Sequence, residues 1–276
     1  MKKTGAKRDS IGPVAVLGGG NIGQAIARGI ARSGLCAPGA VTITRRQKGP
    51  LAALAHEGFA TSDDNRATVR RARIVILAVQ PQQLVGLLDE IRSDLTRNHL
   101  VISIVSGARA SDILERIGKT VPVVRAMPNT AIAIGESMTC LAADAAPAEA
   151  LETARRIFDT VGTTLVIGEE LMIPATALCA CGIAFFLRCI RAASQGGIEI
   201  GFHSDEALLM AAQTAKGAAS LLLQAGHHPE SEIDKVTTPR GCTIAGLNEM
   251  EHQGFSSAMI KGIVTSADKA GKLFRK

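Results

Sequence analysis

A glycine-rich turn between an apolar run and a helical pattern is the feature that most constrains this chain. The stretch VAVLGGGNIGQA places Gly18, Gly20 and Gly23 in the spacing G-x-G-x-x-G, directly after the apolar run. Glycines at these positions allow a tight turn, and they let a pyrophosphate approach a helix N-terminus, where free N–H groups favour anions. The stretch therefore predicts a dinucleotide site that also includes Asn21 and Ile22.

The end of the second predicted strand indicates which dinucleotide is bound. An NAD site usually has Asp or Glu there to hold the ribose hydroxyls. Here VTIT is followed by Arg45 and Arg46, with Lys48 close by and no carboxylate. Cations at this point suit the extra 2′-phosphate of NADP, so we expect NADPH as the cofactor. An ordinary exposed basic turn is the alternative.

The distribution of apolar runs predicts the fold class. In the first half, strands such as RIVILAV and LVISIVS lack polar alternation and are separated by helical patterns, which is typical of a parallel sheet buried on both faces. In the second half, no strand pattern is found and long helical patterns follow one another. We expect an α/β protein with a Rossmann-type doubly wound parallel sheet over residues 1–168, which includes a flexible basic tail at 1–12. An all-helical domain is expected over residues 169–276.

The carboxyl ends of the later strands complete the expected cofactor site. Ligands of doubly wound sheets bind at that edge of the sheet. The ends of three predicted strands carry polar or turn residues and together favour the nicotinamide side of the site. These ends carry Ala78, Val79, Gln80 and Pro81; Ser106 and Gly107; and Met127, Pro128 and Asn129. The cofactor residues expected among them are Ala78, Val79, Gln80, Pro81, Met127 and Asn129.

Charge and hydropathy argue against nucleic-acid and membrane partners. The net charge of +6 comes from the two ends, because residues 1–12 and 268–276 each carry four Lys or Arg against one Asp. A nucleic-acid-binding protein would more often carry a basic face on a folded element. The uncharged stretch from Leu171 to Leu187 is shorter than the ~20 residues of a membrane span and contains Pro174.

The cysteines and the first residues indicate a cytoplasmic protein. The six cysteines form neither a CxxC motif nor a Cys/His zinc spacing, so we expect no metal site and reduced, mostly buried thiols. The basic start MKKTGAKRDS is not followed by an apolar segment, so no signal peptide is expected.

Several segments together resemble pyrroline-5-carboxylate reductases, from about Pro13 to the C-terminus. They are GGGNIGQAIARGI, AVQPQQL, ISIVSG, VVRAMPNTAIAIGESMT and VTTPRGCTIAGLNEMEHQGF, and the last two are specific as a pair. The resemblance implies hydride transfer from NADPH to C5 of the cyclic imine 1-pyrroline-5-carboxylate, giving L-proline in the last step of proline biosynthesis. It also implies that the helical domains pair into a homodimer, with larger homo-oligomers as a further option.

The resemblance assigns the substrate to a polar break between two helical patterns. Backbone N–H groups of this turn would hold the substrate carboxylate, as a helix N-terminus can. The hydroxyl of Thr243 would hydrogen-bond near the ring nitrogen, which makes it the expected catalytic residue. A simple helix break is the alternative. The substrate residues implied in the turn are Thr238, Pro239, Arg240, Gly241 and Cys242.

The chain departs from the family pattern mainly on the substrate side. Cys179 and Cys181 stand where the family usually has serines, Arg240 interrupts the usual Pro-Gly-Gly, and Gln80 replaces a common lysine. Thiols are weak hydrogen-bond donors, so the substrate pocket is expected to be altered. A subsidiary hypothesis is that oxidation of Cys179, Cys181 or Cys242 inhibits the enzyme. Inert cysteines are the alternative.

Three other functions stay open at the level of sequence. The chain could be a divergent member that reduces another cyclic imine. It could be a 3-hydroxyacid dehydrogenase or a ketopantoate-type reductase, which rely on a catalytic lysine; the candidates are Lys216, Lys235 and Lys261. It could also be an inactive paralogue that binds NADPH without turnover.

Overall fold

The computed structural model describes residues 10–46, 49–144 and 146–272. The chain divides into two compact units, Met1–Cys181 with Ser266–Lys276, and Gly182–Thr265. The division falls after the expected boundary at residue 168, because Met172 and Ala175 still pack on Met127 and Cys140 of the first unit. The first unit is α/β and the second is helical, as expected.

The described part of the first unit contains one eight-stranded sheet. Its strand order is β3-β2-β1-β4-β5-β6-β7-β8, and every neighbouring pair is parallel except β6 and β7. The residues of β1, β4 and β5 are all buried, as their apolar runs predict. The strands are β1 (Val14–Leu17), β2 (Val41–Thr44), β3 (Ala60–Ser62), β4 (Ile74–Leu77), β5 (Leu100–Ser103), β6 (Val123–Met127), β7 (Ser137–Ala142) and β8 (Gly162–Val166).

Helices cover both faces of this sheet. Val14 and Val16 of β1 belong to a core that includes residues of α1 and α6. Ala15 and Leu17 point to the opposite core, which includes residues of α3, α4 and α5. This alternation within one strand makes the sheet doubly wound. The helices are α1 (Asn21–Arg32), α2 (Gly49–His56), α3 (Asn65–Arg71), α4 (Pro81–Ile91), α5 (Ala110–Ile117) and α6 (Ala148–Phe158).

Three elements of the sheet region were not predicted from the sequence. They are β3, α3 and β7. β3 has only three residues, and α3 (NRATVRR) is almost entirely polar, so neither has a clear apolar period. β7 lies antiparallel to β6, because the short 3-10 turn Thr130–Ile134 connects them. A parallel pair would need a crossover of about a dozen residues or more.

The C-terminal half is helical. A π-helical turn at Thr176–Cys181 interrupts the run between α7 and α8, and glycine at position 254 (φ +79°) separates α11 from α12. The N-cap of α9 is His203. The helices are α7 (Met172–Ala175), α8 (Gly182–Glu199), α9 (Ser204–Ala225), α10 (Pro229–Val236), α11 (Cys242–His252) and α12 (Phe255–Ala270).

Part of the predicted N-terminal tail at 1–12 is folded. Residues 1–9 lie outside the described part of the chain. Ile11, which was expected to lie in the flexible tail, is buried, and its N–H donates to the carbonyl oxygen of Leu35 at 3.2 Å. The folded structure therefore includes Ile11 and Gly12 in addition to Pro13.

One helical run in the described residues is long and apolar enough to cross a membrane by length and composition. It is Glu169–Glu199, and 22% of its most apolar window is buried. A single run of this kind is weak evidence for a membrane span. The expected absence of a span stays a prediction.

Candidate active site

The glycine turn after β1 has no room for side chains at two positions. Gly18 has a φ of +119°, and a Cβ atom there would lie 2.3 Å from the carbonyl oxygen of Ala78. A Cβ atom on Gly23 would lie 2.2 Å from the carbonyl oxygen of Gly18. Glycine at these positions therefore lets β1, β4 and α1 meet at one point.

Gly20 has open space around it, because, apart from its chain neighbours, no heavy atom of the described chain lies within 4 Å of where its Cβ would be. It is the N-cap of α1, and no side-chain hydrogen bond caps the helix there. The first N–H groups of α1 therefore remain open to a ligand. A pyrophosphate fits this open space and the positive end of the helix dipole.

The end of β2 is bound to the same turn. The N–H groups of Gly18 and Gly19 donate to the carbonyl oxygen of Thr44 at 3.2 and 2.8 Å. Nη1 of Arg45 donates in turn to the carbonyl oxygen of Gly19 at 3.1 Å. Arg45 is half-buried, whereas Arg46 is exposed. The structure thus brings both predicted arginines to the glycine turn.

A cavity of about 580 Å³ lies along this edge of the sheet. Its size falls within the usual range for small-molecule and cofactor sites. Seven of the predicted cofactor residues line it, namely Gly18, Gly20, Arg45, Arg46, Ala78, Val79 and Gln80.

The cavity also includes polar residues that sequence reasoning missed. Asp63 and Asn65 follow β3, which was not predicted, and Gln83 and Glu90 lie on α4. Asn65 accepts from the Thr44 hydroxyl at 2.7 Å and donates from Nδ2 to Glu90 at 3.1 Å. A chain of hydrogen bonds therefore fixes the Asn65 amide. The sequence showed no carboxylate at the end of β2, yet folding brings Asp63 and Glu90 to the same cavity.

Met127 and Asn129 lie elsewhere, at the end of β6. The side chain of Asn129 accepts from the N–H of Ala131 at 3.0 Å and donates to the carbonyl oxygen of Cys179 at 3.3 Å. Met127 is buried, and its sulfur lies 3.9 Å from the hydroxyl of Ser106. Both residues make contacts within the protein here, so their contact with a cofactor stays a prediction. Pro81 begins α4 and is not among the residues that line the cavity.

Two of the cysteines form a close pair. The Sγ atoms of Cys140, in β7, and Cys179, in the π-helical turn, lie 4.0 Å apart. The hydrogen bond from Cys140 lowers the pKa of Cys179 to about 7, against the opposing effect of burial. The same hydrogen bond and burial raise the pKa of Cys140. Cys181 lies in the same turn as Cys179 and is half-buried.

The prediction that the cysteines are mostly buried is wrong. Cys36 and Cys140 are buried, Cys179, Cys181 and Cys189 are intermediate, and Cys242 is exposed. No group of three His, Cys, Asp or Glu side chains suited to a metal ion is found within residues 10–46, 49–144 and 146–272.

The polar break predicted to bind substrate is a tight turn before α11. The N–H of Gly241 donates to the carbonyl oxygen of Thr238 at 2.9 Å. Gly241 is the N-cap of α11, and Cys242 and Thr243 are its first residues. A Cβ atom on Gly241 would lie 2.5 Å from the hydroxyl of Thr238, so a side chain there would displace the Thr238 side chain.

Arg240 in this turn has an unusual backbone conformation. Its φ of +61° makes it the one non-glycine residue with positive φ in the described chain. Left-handed backbone costs an L-residue roughly 1–2 kcal/mol, whereas glycine adopts it freely. The family's usual glycine at this position thus has a physical reason, and this chain carries an arginine in the same backbone shape.

Comparison with known proteins identifies the family. The Dictyostelium discoideum protein named pyrroline-5-carboxylate reductase 2 is 48% identical over 275 residues, which cover 94% of this chain and 92% of that relative. The chain belongs to the pyrroline-5-carboxylate reductase family. The D. discoideum pyrroline-5-carboxylate reductase 1 is 55% identical over 95% of this chain. This chain spans 50% of the length of D. discoideum pyrroline-5-carboxylate reductase 1.

Family models match both parts of this reductase family member. The model described as pyrroline-5-carboxylate reductase dimerisation matches residues 169–273. The model described as NADP oxidoreductase, coenzyme F420-dependent, matches residues 13–107. The chain is therefore a member of an NADP-dependent oxidoreductase family with a dimerisation domain. The positions assigned to individual site residues stay predictions.

A solved structure confirms the fold of this reductase family member. The crystal structure of Plasmodium falciparum pyrroline carboxylate reductase with NADP bound is 22% identical to this chain, with a TM-score of 0.88. The match covers 97% of this chain and 100% of that one. The expected α/β sheet with a helical C-terminal part is confirmed.

Proposed function

We propose that this chain reduces 1-pyrroline-5-carboxylate to L-proline with NADPH, as the last step of proline biosynthesis. The observation that carries the proposal is the glycine turn and arginine cavity in a chain 48% identical, over nearly its whole length, to a pyrroline-5-carboxylate reductase. When bound, NADPH supplies the hydride that goes to C5 of the cyclic imine.

The residues around the cavity fit this cofactor. The open space at Gly20 and the uncapped start of α1 would receive the pyrophosphate. Arg45 and Arg46 would hold the 2′-phosphate, because guanidinium groups bind phosphate strongly. Asn21, Ile22 and Gly23 would offer their backbone at the start of α1.

The turn at 238–243 is proposed to bind the substrate carboxylate. The start of α11 offers backbone N–H groups, and no side-chain hydrogen bond caps it at Gly241. Thr243 would place its hydroxyl near the ring nitrogen. A protonated imine is already electrophilic, so the protein mainly aligns substrate and cofactor and needs no general base.

The substitutions at Cys179, Cys181 and Arg240 keep a divergent substrate open as the second candidate. Loss of one hydrogen bond costs roughly 0.5–1.5 kcal/mol, or up to about tenfold in binding. Such a change could select another cyclic imine, or a substrate with a second acidic group facing Arg240. An inactive NADPH-binding paralogue would retain the first unit and lose turnover.

The rival lysine-dependent dehydrogenases have weaker support. Lys216, the strongest candidate of the three lysines, lies in α9 and is exposed. The family assignment favours a reductase that requires no catalytic lysine. A Lys216→Ala variant with unchanged turnover would agree with this proposal.

We propose a homodimer formed through the C-terminal helices, with a larger ring as a further option. The family's dimerisation model covers residues 169–273. Several large apolar side chains in the second unit are strongly exposed, such as Leu223 at 86% and Leu209 at 70%. Partner helices would cover these side chains. We propose a cytosolic location, with no nucleic-acid or membrane partner.

The test is NADPH oxidation by purified protein with pyrroline-5-carboxylate, followed by absorbance, with proline identified as the product. Turnover to proline with a preference for NADPH supports the proposal. NADPH binding without turnover contradicts it and leaves the other imines and the inactive paralogue. Piperideine carboxylate, with a ring one carbon larger, is the matched alternative substrate.

A further inference from the structure

Two cysteines that are distant in sequence form a thiol pair, one in the eight-stranded sheet and one in the π-helical turn. Cys140 lies in β7, is 4% exposed, and is paired with Met127 of β6 and Leu165 of β8. Cys179 lies in the π-helical turn and is half-buried. The Sγ atoms are 4.0 Å apart, so one thiol can hydrogen-bond to the other.

The environment shifts the pKa values of these two thiols in opposite directions. The pKa of Cys179 is lowered to about 7 by the hydrogen bond from Cys140, so a large share of Cys179 is thiolate near neutral pH. The pKa of Cys140 is raised, so Cys140 remains a thiol. Thiolates react with peroxides, and a neighbouring thiol can then resolve the oxidised product.

We propose that Cys140 and Cys179 form a reversible intramolecular disulfide when hydrogen peroxide reaches the pair. The Cys179 thiolate attacks one peroxide oxygen, so an S–O bond forms, the O–O bond breaks and hydroxide leaves. Cys140 sulfur then attacks the Cys179 sulfur, so the S–S bond forms and the S–O bond breaks. The departing hydroxide takes the Cys140 proton as water. Both sulfurs are oxidised, and the peroxide is reduced to one hydroxide and one water. The hydroxide becomes a second water when it takes up the proton that Cys179 released on ionising.

The geometry indicates which element, β7 or the π-helical turn, moves when the disulfide bond forms. A disulfide bond is about 2.05 Å long, so the sulfur atoms must approach by about 2 Å. Hydrogen-bonded neighbours hold β7 on both sides, at Met127 and Leu165. Cys179 sits in a π-helical turn, a form that is rare and often found at functional sites. The turn is therefore the side expected to shift.

The shift would reach the predicted cofactor contacts. The carbonyl oxygen of Cys179 accepts from Nδ2 of Asn129 at 3.3 Å. Movement of the turn would either break this hydrogen bond or move the loop after β6 together with the turn. We therefore expect the disulfide to lower reductase activity, and this part alone rests on the proposed function.

The first experiment maps the bond in the full-length wild-type protein. Reduced protein is treated with hydrogen peroxide, free thiols are alkylated, and the chain is digested with trypsin without reduction. Cleavage at Arg155 and Arg156 separates the two cysteines, so the disulfide joins two tryptic peptides. The expected result is that cross-linked pair, with a loss of two hydrogens, reversed by dithiothreitol. Bonds between other cysteines, or oxidation of Cys179 beyond sulfenic acid without a cross-link, would overturn the proposal.

Variants identify the partners, because Cys179 and Cys181 share one tryptic peptide. Cys181→Ser must keep the cross-link, and Cys140→Ser must lose it. Cys36→Ser is the matched control, since Cys36 is also buried but its sulfur faces the Gly12 carbonyl oxygen at 3.4 Å. A cross-link that persists in the Cys140→Ser variant would overturn the proposal.

The activity readout separates this inference from the proposed function. Reduced wild-type protein without turnover on pyrroline-5-carboxylate would contradict the proposed function, while the peptide map would still decide the disulfide. With turnover present, peroxide should inhibit the wild type and the Cys36→Ser control alike, and dithiothreitol should restore both. The Cys140→Ser variant cannot form the disulfide. It should therefore lose the inhibition that the disulfide causes and that dithiothreitol reverses. Inhibition and recovery identical in all three proteins would overturn the link to activity.

Discussion

Arg45 donates a hydrogen bond from Nη1 to the carbonyl oxygen of Gly19 at 3.1 Å. This contact joins the cation after β2 to the turn that would bind the pyrophosphate. Because one nitrogen of Arg45 is used in this way, Arg45 has both a structural and an electrostatic role. Arg46 is exposed and lines the same cavity, so its role is the simpler one to isolate.

Arg46→Ala should raise the KM for NADPH by about tenfold or more and leave the KM for NADH nearly unchanged. Hydrogen bonds to charged groups are worth roughly 1.5–3 kcal/mol, which corresponds to this factor. Arg45→Ala should add a loss of thermal stability, because it also removes the bond to Gly19. Steady-state kinetics with both cofactors and thermal denaturation measure the two effects. Equal efficiency with both cofactors in both variants would contradict the assignment of the arginines.

Glu90→Gln should lower the KM for NADPH by a factor of about two to five, because a like charge near the 2′-phosphate is removed. Glu90 lines the cavity and accepts from Asn65 at 3.1 Å. Asp89→Asn is the matched control on the same helix, since Asp89 pairs with Arg116 at 3.2 Å and is not among the residues lining the cavity. Kinetics with NADPH and NADH at low salt would measure this. The same change in both variants would mean a general charge effect.

Gly18→Ala and Gly20→Ala should separate folding from cofactor binding. Gly18→Ala should lower the free energy of unfolding by about 1–3 kcal/mol or more, because its φ is +119° and its Cβ would clash with Ala78. Gly20→Ala should cost about 1 kcal/mol or less in stability, since its Cβ meets open space, yet it should weaken NADPH binding strongly. Urea denaturation and NADPH titration measure the two quantities.

Gly86→Ala is the control for the glycine variants. Gly86 lies within α4 and its Cβ would also meet open space. This variant should gain about 0.5–1 kcal/mol through helix propensity and leave NADPH binding unchanged. Normal NADPH affinity in Gly20→Ala would argue against a pyrophosphate at that point.

Arg240→Gly should stabilise the protein by about 1 kcal/mol, because glycine adopts the left-handed backbone at position 240 (φ +61°) without strain. The same variant tests whether the arginine selects the substrate. An unchanged KM for pyrroline-5-carboxylate would mean that Arg240 does not contact substrate. Thermal denaturation and steady-state kinetics are the measurements, and an unchanged or lowered stability would contradict the strain argument.

The alkylation rate of Cys179 by iodoacetamide should rise as pH increases through about 7 and level off above it, because its thiolate is stabilised by the hydrogen bond from Cys140. Cys140→Ala removes that donor, so the midpoint should move to higher pH. Mass spectrometry of the tryptic peptide in a Cys181→Ser background would follow this one thiol. A midpoint unaffected by Cys140→Ala would show that the hydrogen bond does not set the pKa.

Local sequence patterns predicted much of this protein. The apolar strands, the glycine turn at Gly18, Gly20 and Gly23, and the two arginines after β2 could all be identified from consecutive residues. Steric limits on φ and the periodicity of buried side chains act over a few residues, so both can be predicted from the local sequence. The short, polar β3 and α3 lacked such a period and were missed.

Tertiary structure alone decided which distant residues meet. Parallel pairing and helix packing bring Asp63, Asn65 and Glu90 to the cavity that the arginines line, although no local pattern marks them. The antiparallel β7 places Cys140 against Cys179, 39 residues away in the chain, and the hydrogen bond between their thiols changes the chemistry of both. Such contacts depend on the strand order and on how the helices pack across the sheet. A pattern of neighbouring residues does not encode these distances. Local patterns therefore predicted the kind of site, whereas tertiary packing determined its full set of side chains.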